Sequence, residues 1–358
     1  MVPEKRSFSP LGRRLIEADF SGGHISSDAG LLLLREVDKC HGLTHQLAKA
    51  LNDSRTNSKV RHSLHSMVAQ RVYGLAAGYE DFNDHQQLRF DQILQSAIGR
   101  DEVLAGKSTL SRMERGVDRQ AIVEAHRVLW QQFIDQHEKP PKELTLDFDG
   151  TDIPLHGDQP EKHFHRYYDH HCYLPLYVFC GRHLLVSYLR PSYYSDARHS
   201  WAILALLVRF IRQHWPQTRI VFRGDAGFYR PKLLNWCDRH GVDYLVGFSK
   251  NSKLLKEVDA PMQRVRHYYQ QSGEKMAGVY RFQYRAKRWQ RPRWIVSRLE
   301  YGELGANPRF IISSRYDDGV KLYYQRYCAR GDMENRIKDQ QLDLFAGRSS
   351  STDWWANQ

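Results

Sequence analysis

Carboxylates close three stretches of this sequence: Leu144-Thr145-Leu146-Asp147-Phe148-Asp149-Gly150-Thr151-Asp152, Phe222-Arg223-Gly224-Asp225-Ala226-Gly227-Phe228, and Tyr327-Cys328-Ala329-Arg330-Gly331-Asp332-Met333-Glu334-Asn335-Arg336-Ile337-Lys338. In a strand the side chains alternate, so Thr145, Asp147 and Asp149 share one face while Leu144, Leu146 and Phe148 share the other. Asp225 follows the strand-like run from Ile220 to Gly224, at the end where open α/β sheets bind ligands. Glu334 sits in a helical pattern with Arg330 and Lys338 four residues to either side and Tyr327 and Gln341 seven away, a spacing that gathers all five on one face. Carboxylates arranged in this way can hold two divalent ions that activate a water or a 3′-hydroxyl and stabilise the leaving oxygen of a phosphodiester. Mg²⁺ suits such a site because it takes oxygen ligands and keeps exchangeable waters, with Mn²⁺ as the substitute. An adjacent Arg or Tyr would position the scissile phosphate. Any one of these acids taken alone reads as a solvated carboxylate, a turn residue or a cap, and the ordered combination carries the inference.

Charge points the same way. The 358 residues hold 53 Lys and Arg against 41 Asp and Glu, a formal net charge of +12, which favours a polyanionic partner, nucleic acid first. No apolar run approaches a membrane span and the N-terminus lacks a signal-like apolar core, so the expected location is the cytoplasm. The five cysteines are scattered without a Cys-x-x-Cys pair, which argues against a disulfide framework or a structural zinc site.

Two kinds of element must position the acids. Residues 1 to 20 read as polar and irregular. From Ala29 to Leu51 (with Ser27 or Asp28 as cap), Val60 to Leu75, Gln86 to Ile98 and Asp118 to Ile134, apolar residues recur at helical spacing, giving an all-helical first domain over 1–137. Glu138-Lys139-Pro140-Pro141-Lys142 reads as the linker. Beyond it the α/β domain, 143–358, alternates strands and helices: strands at Leu144 to Asp149, Tyr173 to Cys180, His183 to Leu189, Arg219 to Arg223 and Asp243 to Phe248, and helices at Ala197 to His214 and Pro231 to His240. Residues 250–318 interrupt the alternation as a β-rich insertion with strands at Val279 to Arg285, Trp294 to Leu299 and Phe310 to Ser313. One helix from about Gly319 to Leu344 then carries Glu334.

Three further features carry chemistry. His156, His163, His165, His170 and His171 crowd the segment after the first strand, but match no zinc spacing and read as a loop touching DNA or substrate. Between Tyr280 and Trp294, rings interleave with Arg285, Lys287 and Arg288, as stacking and phosphate contacts require; the competing reading is an amphipathic edge strand with a basic turn. Ser108-Thr109-Leu110-Ser111-Arg112 fits either the start of a DNA-reading helix or a plain helix cap. Arg71, Arg89 and Arg112 add cations to the helical region, where charge on a helix face is usually only solvated.

At the three acidic stretches, and again at Ser21-Gly22-Gly23, Gly78-Tyr79-Glu80-Asp81-Phe82-Asn83-Asp84, His156-Gly157-Asp158-Gln159, Tyr173-Leu174-Pro175-Leu176 and Glu334-Asn335-Arg336-Ile337-Lys338, the chain resembles the DDE-type transposases, group 1 of the DDE domains, in the insertion sequence 1380 family. The resemblance implies an RNase H-like catalytic fold with a β insertion before the last acid, and metal-dependent cleavage and strand transfer. It implies double-stranded DNA partners, namely terminal inverted repeats and target DNA, with self-association on DNA. Position by position, it implies Asp149, Asp225 and Glu334 as catalytic metal ligands, with Asp147 the close competitor for the first place. Tyr327 and Arg330 match the signature helix and would bind DNA, the signature lysine falls at Gln341, and Lys338 stands one turn nearer. Family members continue past the Trp-Ala-Asn-Gln end, so the C-terminus reads as truncated. The alternatives are therefore an inactive DNA-binding remnant and a DDE-fold nuclease that cleaves without joining.

Overall fold

The computed structural model describes residues 6–11, 13–18, 26–53, 55, 56, 58 and 60–358. The Ser21-Gly22-Gly23 motif lies outside the described residues. The chain divides into two compact units, Met1–Val117 and Asp118–Gln358.

The first unit opens with an antiparallel hairpin, β1 (Arg6–Leu11) and β2 (Arg14–Ala18), where an irregular polar segment was expected. A ladder built from backbone hydrogen bonds needs no apolar alternation to announce it. Among the described residues, the α-helices that follow are α1 (Leu31–His41), α2 (Leu43–Ala50), α3 (Leu64–Ala76), α4 (His85–Leu88), α5 (Gln92–Ile98) and α6 (Lys107–Arg115). The single helix expected over 29–51 is two, because Gly42 turns left-handed at φ +64° and ends α1 while Asp38 receives the backbone N–H of Thr44. Gly30 is the N-cap of α1, without a side-chain cap, so neither Ser27 nor Asp28 serves. Leu31, Tyr73, Leu88, Leu94, Ala97 and Leu104 form the main core of this unit. Buried Gln70 is satisfied by both backbone groups of Ala105 and by His85, which fastens α3 to the chain entering α6.

The second unit starts with α7 (Arg119–Asp135), capped by Asp118 through the N–H of Ala121. This division falls earlier than the proline-rich segment at 138–142. The helix ends at Asp135, ahead of Pro140 and Pro141, and α7 belongs with the sheet that follows: the Trp130 indole donates to Leu185 O at 2.7 Å, and Phe133 and Ile134 join that core.

Beyond α7 come β3 (Glu143–Gly150), β4 (Ile153–Pro154), β5 (His163–His165), β6 (His170–Tyr173), β7 (Leu176–Cys180), β8 (His183–Tyr188), α8 (Ser200–His214), β9 (Arg219–Gly224), α9 (Pro231–Arg239), β10 (Asp243–Phe248), α10 (Ser252–Glu257), α11 (Asp259–Ser272), β11 (Met276–Tyr284), β12 (Arg293–Gly302), β13 (Gly305–Ala306), β14 (Arg309–Ser313), α12 (Gly331–Asp343) and α13 (Trp354–Asn357). The main sheet runs β11-β12-β14-β10-β9-β3-β7-β8, with β13 on β12. Only β3, β9 and β10 are mutually parallel, and the other pairs are antiparallel, so the sheet is mixed. The strands of the 250–318 insertion extend this sheet. Leu144, Leu146 and Phe148 enter the core, where the Phe148 and Phe222 rings meet at 4.9 Å and Phe228 packs beside them.

The helix expected over 319–344 is three segments. Lys321–Tyr327 winds as a π-helix, Cys328–Arg330 as a 3₁₀ turn, and only Gly331–Asp343 as α-helix. Met333 and Ile337 hold α12 against Tyr177 and Phe179 of β7.

Candidate active site

The parallel register pairs Phe148 with Gly224, so Asp149 and Asp225 are the next residues along two adjacent strands. Asp225 bends back and accepts the N–H of Gly227 at 2.9 Å, capping a 3₁₀ turn over Ala226–Phe228. Glu334 enters from the first turn of α12. Arg330 joins β3 to α12: one guanidinium nitrogen donates to Asp149 Oδ2 at 2.5 Å and the other to Glu334 Oε1 at 2.9 Å.

Asp147 shares the face of Asp149 but has a different environment. It is buried and held bidentately by Arg223, its register partner on β9, with one contact at 2.7 Å. The same guanidinium donates to the carbonyls of Arg326 and Ala329, in the segment leading to Glu334. Further down the face, Glu143 binds Arg315 at 2.6 Å and also Arg326. The acids of β3 thus meet arginines in order: Glu143 with Arg315 and Arg326, Asp147 with Arg223, Asp149 with Arg330.

Burial raises Asp149 to about 6; Arg330 opposes the rise, and the nearby charges of Asp225 and Glu334 add to it. Burial also raises Asp225, against Arg330, with Asp196 adding to the rise. Asp147 is raised by burial against the pull of Arg223. At Glu143 burial acts upward, but the bonds from Arg326 and Arg315 win and hold it below the usual carboxylate range.

The donor set of Asp149, Asp225 and Glu334 is all carboxylate oxygen, and burial raises two of the three, Asp149 and Asp225, which destabilises them as anions. That chemistry fits a hard divalent cation. In the present arrangement Arg330 supplies the neutralising charge, and among the described residues no group of three His, Cys, Asp or Glu is drawn close enough to hold an ion.

The remaining site residues separate. Tyr327 is half-buried over β10, its hydroxyl 2.7 Å from the Cβ position that Gly247 lacks, and burial raises its phenol. Lys338 is exposed and, among the described residues, makes no bond to the other members of the expected face. Gln341 instead turns toward Thr151 Oγ1, at 3.5 Å. Arg285, Lys287 and Arg288 are exposed around the β11–β12 turn. The rings between them are not free for stacking: Trp289 is 2% exposed, donates to Tyr229 and packs among Phe248 and Tyr284. This is the basic turn on an amphipathic edge strand. His163, His165, His170 and His171 lie in a small sheet, β4-β6-β5, where His170 binds Asp152 at 2.8 Å, and His156 lies outside its strands.

Sequence reasoning missed Asp196, in the loop before α8. The Cβ position absent at Gly227 lies 2.6 Å from Asp196 Oδ2 and 3.0 Å from Asp225 Oδ1, so two carboxylates flank one glycine. No local motif around Ser195-Asp196-Ala197 signals this.

In the first unit, a 710 Å³ cavity is lined by Arg55, Arg61, His62, Arg89, Lys107 and Arg112, with the one acid of its wall, Asp53, paired to Arg55 at 2.6 Å. Gly106 is the N-cap of α6 and no side chain caps it, so the cap reading of Ser108 and Thr109 does not hold. Arg71 is used internally, bound to Glu114 at 2.8 Å and stacked on Phe82 at 4.6 Å.

No helix of the described residues is long and apolar enough to cross a membrane. Residues 8–358 match the family described as transposase DDE domain group 1. No curated protein matches the chain. Among solved structures, the piggyBac transposase synaptic complex with hairpin DNA is similar at 13% identity, over 93% of this chain and 73% of that one, with a TM-score of 0.43.

Proposed function

The chain belongs to the transposase DDE domain group 1 family, and from that premise we propose that it binds the ends of an insertion sequence, of the 1380 type, and catalyses metal-dependent DNA cleavage and strand transfer. The observation that carries this reading is the convergence of Asp149, Asp225 and Glu334 from β3, the end of β9 and the start of α12 around one arginine. Strand-end, strand-end and helix are the placements an RNase H-like domain gives its acids, and the mixed sheet supports that fold. Asp149 is the first acid in this reading, because Asp147 is already committed to Arg223.

Asp149, Asp225 and Glu334 would hold Mg²⁺ or Mn²⁺, which when bound supplies the Lewis acidity that activates the attacking oxygen and stabilises the leaving one. Arg330 neutralises the acids in the absence of other cations. Once relieved of that role, its two-pronged donor set suits the non-bridging oxygens of a scissile phosphate. Tyr327 orders the segment under Arg330. Exposed Arg285, Lys287, Arg288 and Lys338 contribute phosphate contacts along the duplex. The basic cavity of the first unit supports that unit's role in gripping terminal-repeat DNA. The protein acts in the cytoplasm on its own donor DNA and self-associates when both transposon ends are held.

The test is the full chain with a labelled duplex carrying the inverted repeats that flank its reading frame, in Mg²⁺ or Mn²⁺. Cleaved and joined products that vanish in Asp225→Ala, with binding retained, are expected. Nicks without joined product would replace the reading by a nuclease, and a gel shift without cleavage by a binding remnant. Cleavage that persists in Asp225→Ala would refute the site.

A further inference from the structure

The 710 Å³ cavity of the first unit has a lining divided between cations and aliphatic side chains. Among the described residues, Arg61, Arg89, Lys107 and Arg112 have no carboxylate partner, and Asp53, the one acid of the wall, is bonded to Arg55. Arg89 is the informative cation. Its Nε is buried and has no acceptor, and its Nη1 lies 3.2 Å from the Cβ position that Gly106 lacks. Gly106 is the N-cap of α6, and no side chain caps that helix. The first bond of the helix runs from the Thr109 N–H to Gly106 O at 2.9 Å, so the N–H groups of Lys107 and Ser108 precede the ladder.

A guanidinium nitrogen buried without an acceptor is costly, and an anion at its side supplies what is missing. The uncapped start of a nine-residue helix favours the same occupant, because its free N–H groups and dipole suit a phosphate. Gly106, Lys107, Ser108, Thr109 and Arg89 all line the one cavity.

Size and the remaining lining decide what carries the phosphate. Pockets that enclose a small ligand run about 300–1,000 Å³. The cavity is larger than a bare phosphate needs and too small for a duplex, whose major groove alone is about 12 Å wide. Leu64, Met67, Leu104 and Met113 line it as well, and methionine sulfur packs well against aromatic rings. A single nucleotide, anionic at one end and flat and largely apolar at the other, matches both parts of the lining.

Building on the DNA-binding reading above, we infer that the cavity takes one unpaired nucleotide of a DNA strand, its phosphate held by Arg89, Arg112 and the start of α6 and its base packed among the Leu and Met side chains.

The experiment is isothermal titration calorimetry of the full chain in EDTA with deoxyadenosine 5′-monophosphate, deoxyadenosine and inorganic phosphate, on wild type, Arg89→Gln and Gly106→Asp. Gly106 has the extended φ −82° and ψ 170° of an N-cap, and a Cβ there meets only side-chain atoms of Gln86 and Arg89. Asp at this position caps α6, so the variant should unfold no earlier than wild type while placing a carboxylate where the phosphate sits. The monophosphate should bind at least about tenfold more tightly than the nucleoside or phosphate alone, and both variants should lose about tenfold or more. A duplex with one protruding 5′-phosphorylated deoxyadenosine should displace it at about tenfold lower concentration than the blunt duplex. Monophosphate binding that both variants retain, or equal competition by the two duplexes, would overturn the inference. Absence of monophosphate binding by a chain that still cleaves terminal-repeat duplex would overturn it alone, and failure to bind any duplex would overturn the DNA-binding reading with it.

Discussion

Replacing Asp149 by Asn should make the metal-free protein more stable at pH 8. In the fold Asp149 is raised to about 6 by burial and the neighbouring acids, against Arg330; a free Asp sits near 3.9. At about 1.4 kcal/mol per pH unit, that gap corresponds to about 3 kcal/mol. The sign follows from the raised value, since the folded state holds the proton more tightly than the unfolded chain. Below about pH 4 both states are protonated and the penalty is absent. It grows as pH rises through the interval and is complete above about 6. Asn mimics the protonated form, so the variant should gain up to about 3 kcal/mol at pH 8, roughly 5 to 10 °C in unfolding temperature for a unit of this size, and nothing at pH 4. Thermal unfolding of both proteins in EDTA at the two pH values measures it. Added Mg²⁺ should stabilise wild type and leave the variant unmoved. An Asn variant no more stable than wild type at pH 8, or equally favoured at both pH values, would refute the reasoning.

Asp147→Ala should do the opposite: it removes both acceptors that hold the buried Arg223 guanidinium, and breaking a buried pair in this way costs about 3–5 kcal/mol, measured by chemical unfolding at pH 7. Gly247→Ala places a methyl 2.6 Å from Ala226 N and 2.7 Å from the Tyr327 hydroxyl; overpacking of this kind costs about 1–3 kcal/mol, visible as a lower unfolding temperature. Trp289→Ala should lose about 3–5 kcal/mol as a core truncation. The triple change Arg285→Ala, Lys287→Ala, Arg288→Ala should leave stability within about 0.5 kcal/mol per site yet weaken DNA binding and flatten its salt dependence, read by fluorescence anisotropy.

What the sequence disclosed, and what it withheld, follows from the range of each interaction. Strand β10 appears over the expected residues, and β3, β9 and the strands of the 250–318 segment differ from expectation by a few residues at their ends, because alternation and turn residues are local signals. The choice between Asp147 and Asp149 was not legible, since both share a face and only the long-range partner, Arg223 or Arg330, distinguishes them. Asp196 was invisible for the same reason: its neighbour across Gly227, Asp225, belongs to a distant stretch of the sequence, after β9. In the ring-and-cation run from Tyr280, Arg285, Lys287 and Arg288 are exposed. The rings belong to the core, because a composition of alternating Arg and aromatic residues does not say which side of an edge strand faces inward. The proline pair follows the end of α7 at Asp135 and does not mark the edge of a compact unit, which falls between Val117 and Asp118.

The π-wound segment Lys321–Tyr327 acts as an indexing step for everything after it. Each residue of an α-helix advances about 100° around the axis, from 3.6 residues per turn, whereas a π turn closes its bond one residue later. The segment therefore sets the angular phase with which α12 arrives at β3. Were the same seven residues to wind as ordinary α-helix, each would advance further around the axis and the downstream helix would arrive rotated by roughly a third of a turn. Glu334 would leave the acids, while every residue of α12 kept its identity and its helical neighbours. The alignment of the third acid is thus stored upstream, in the winding of a stretch that carries no carboxylate of its own.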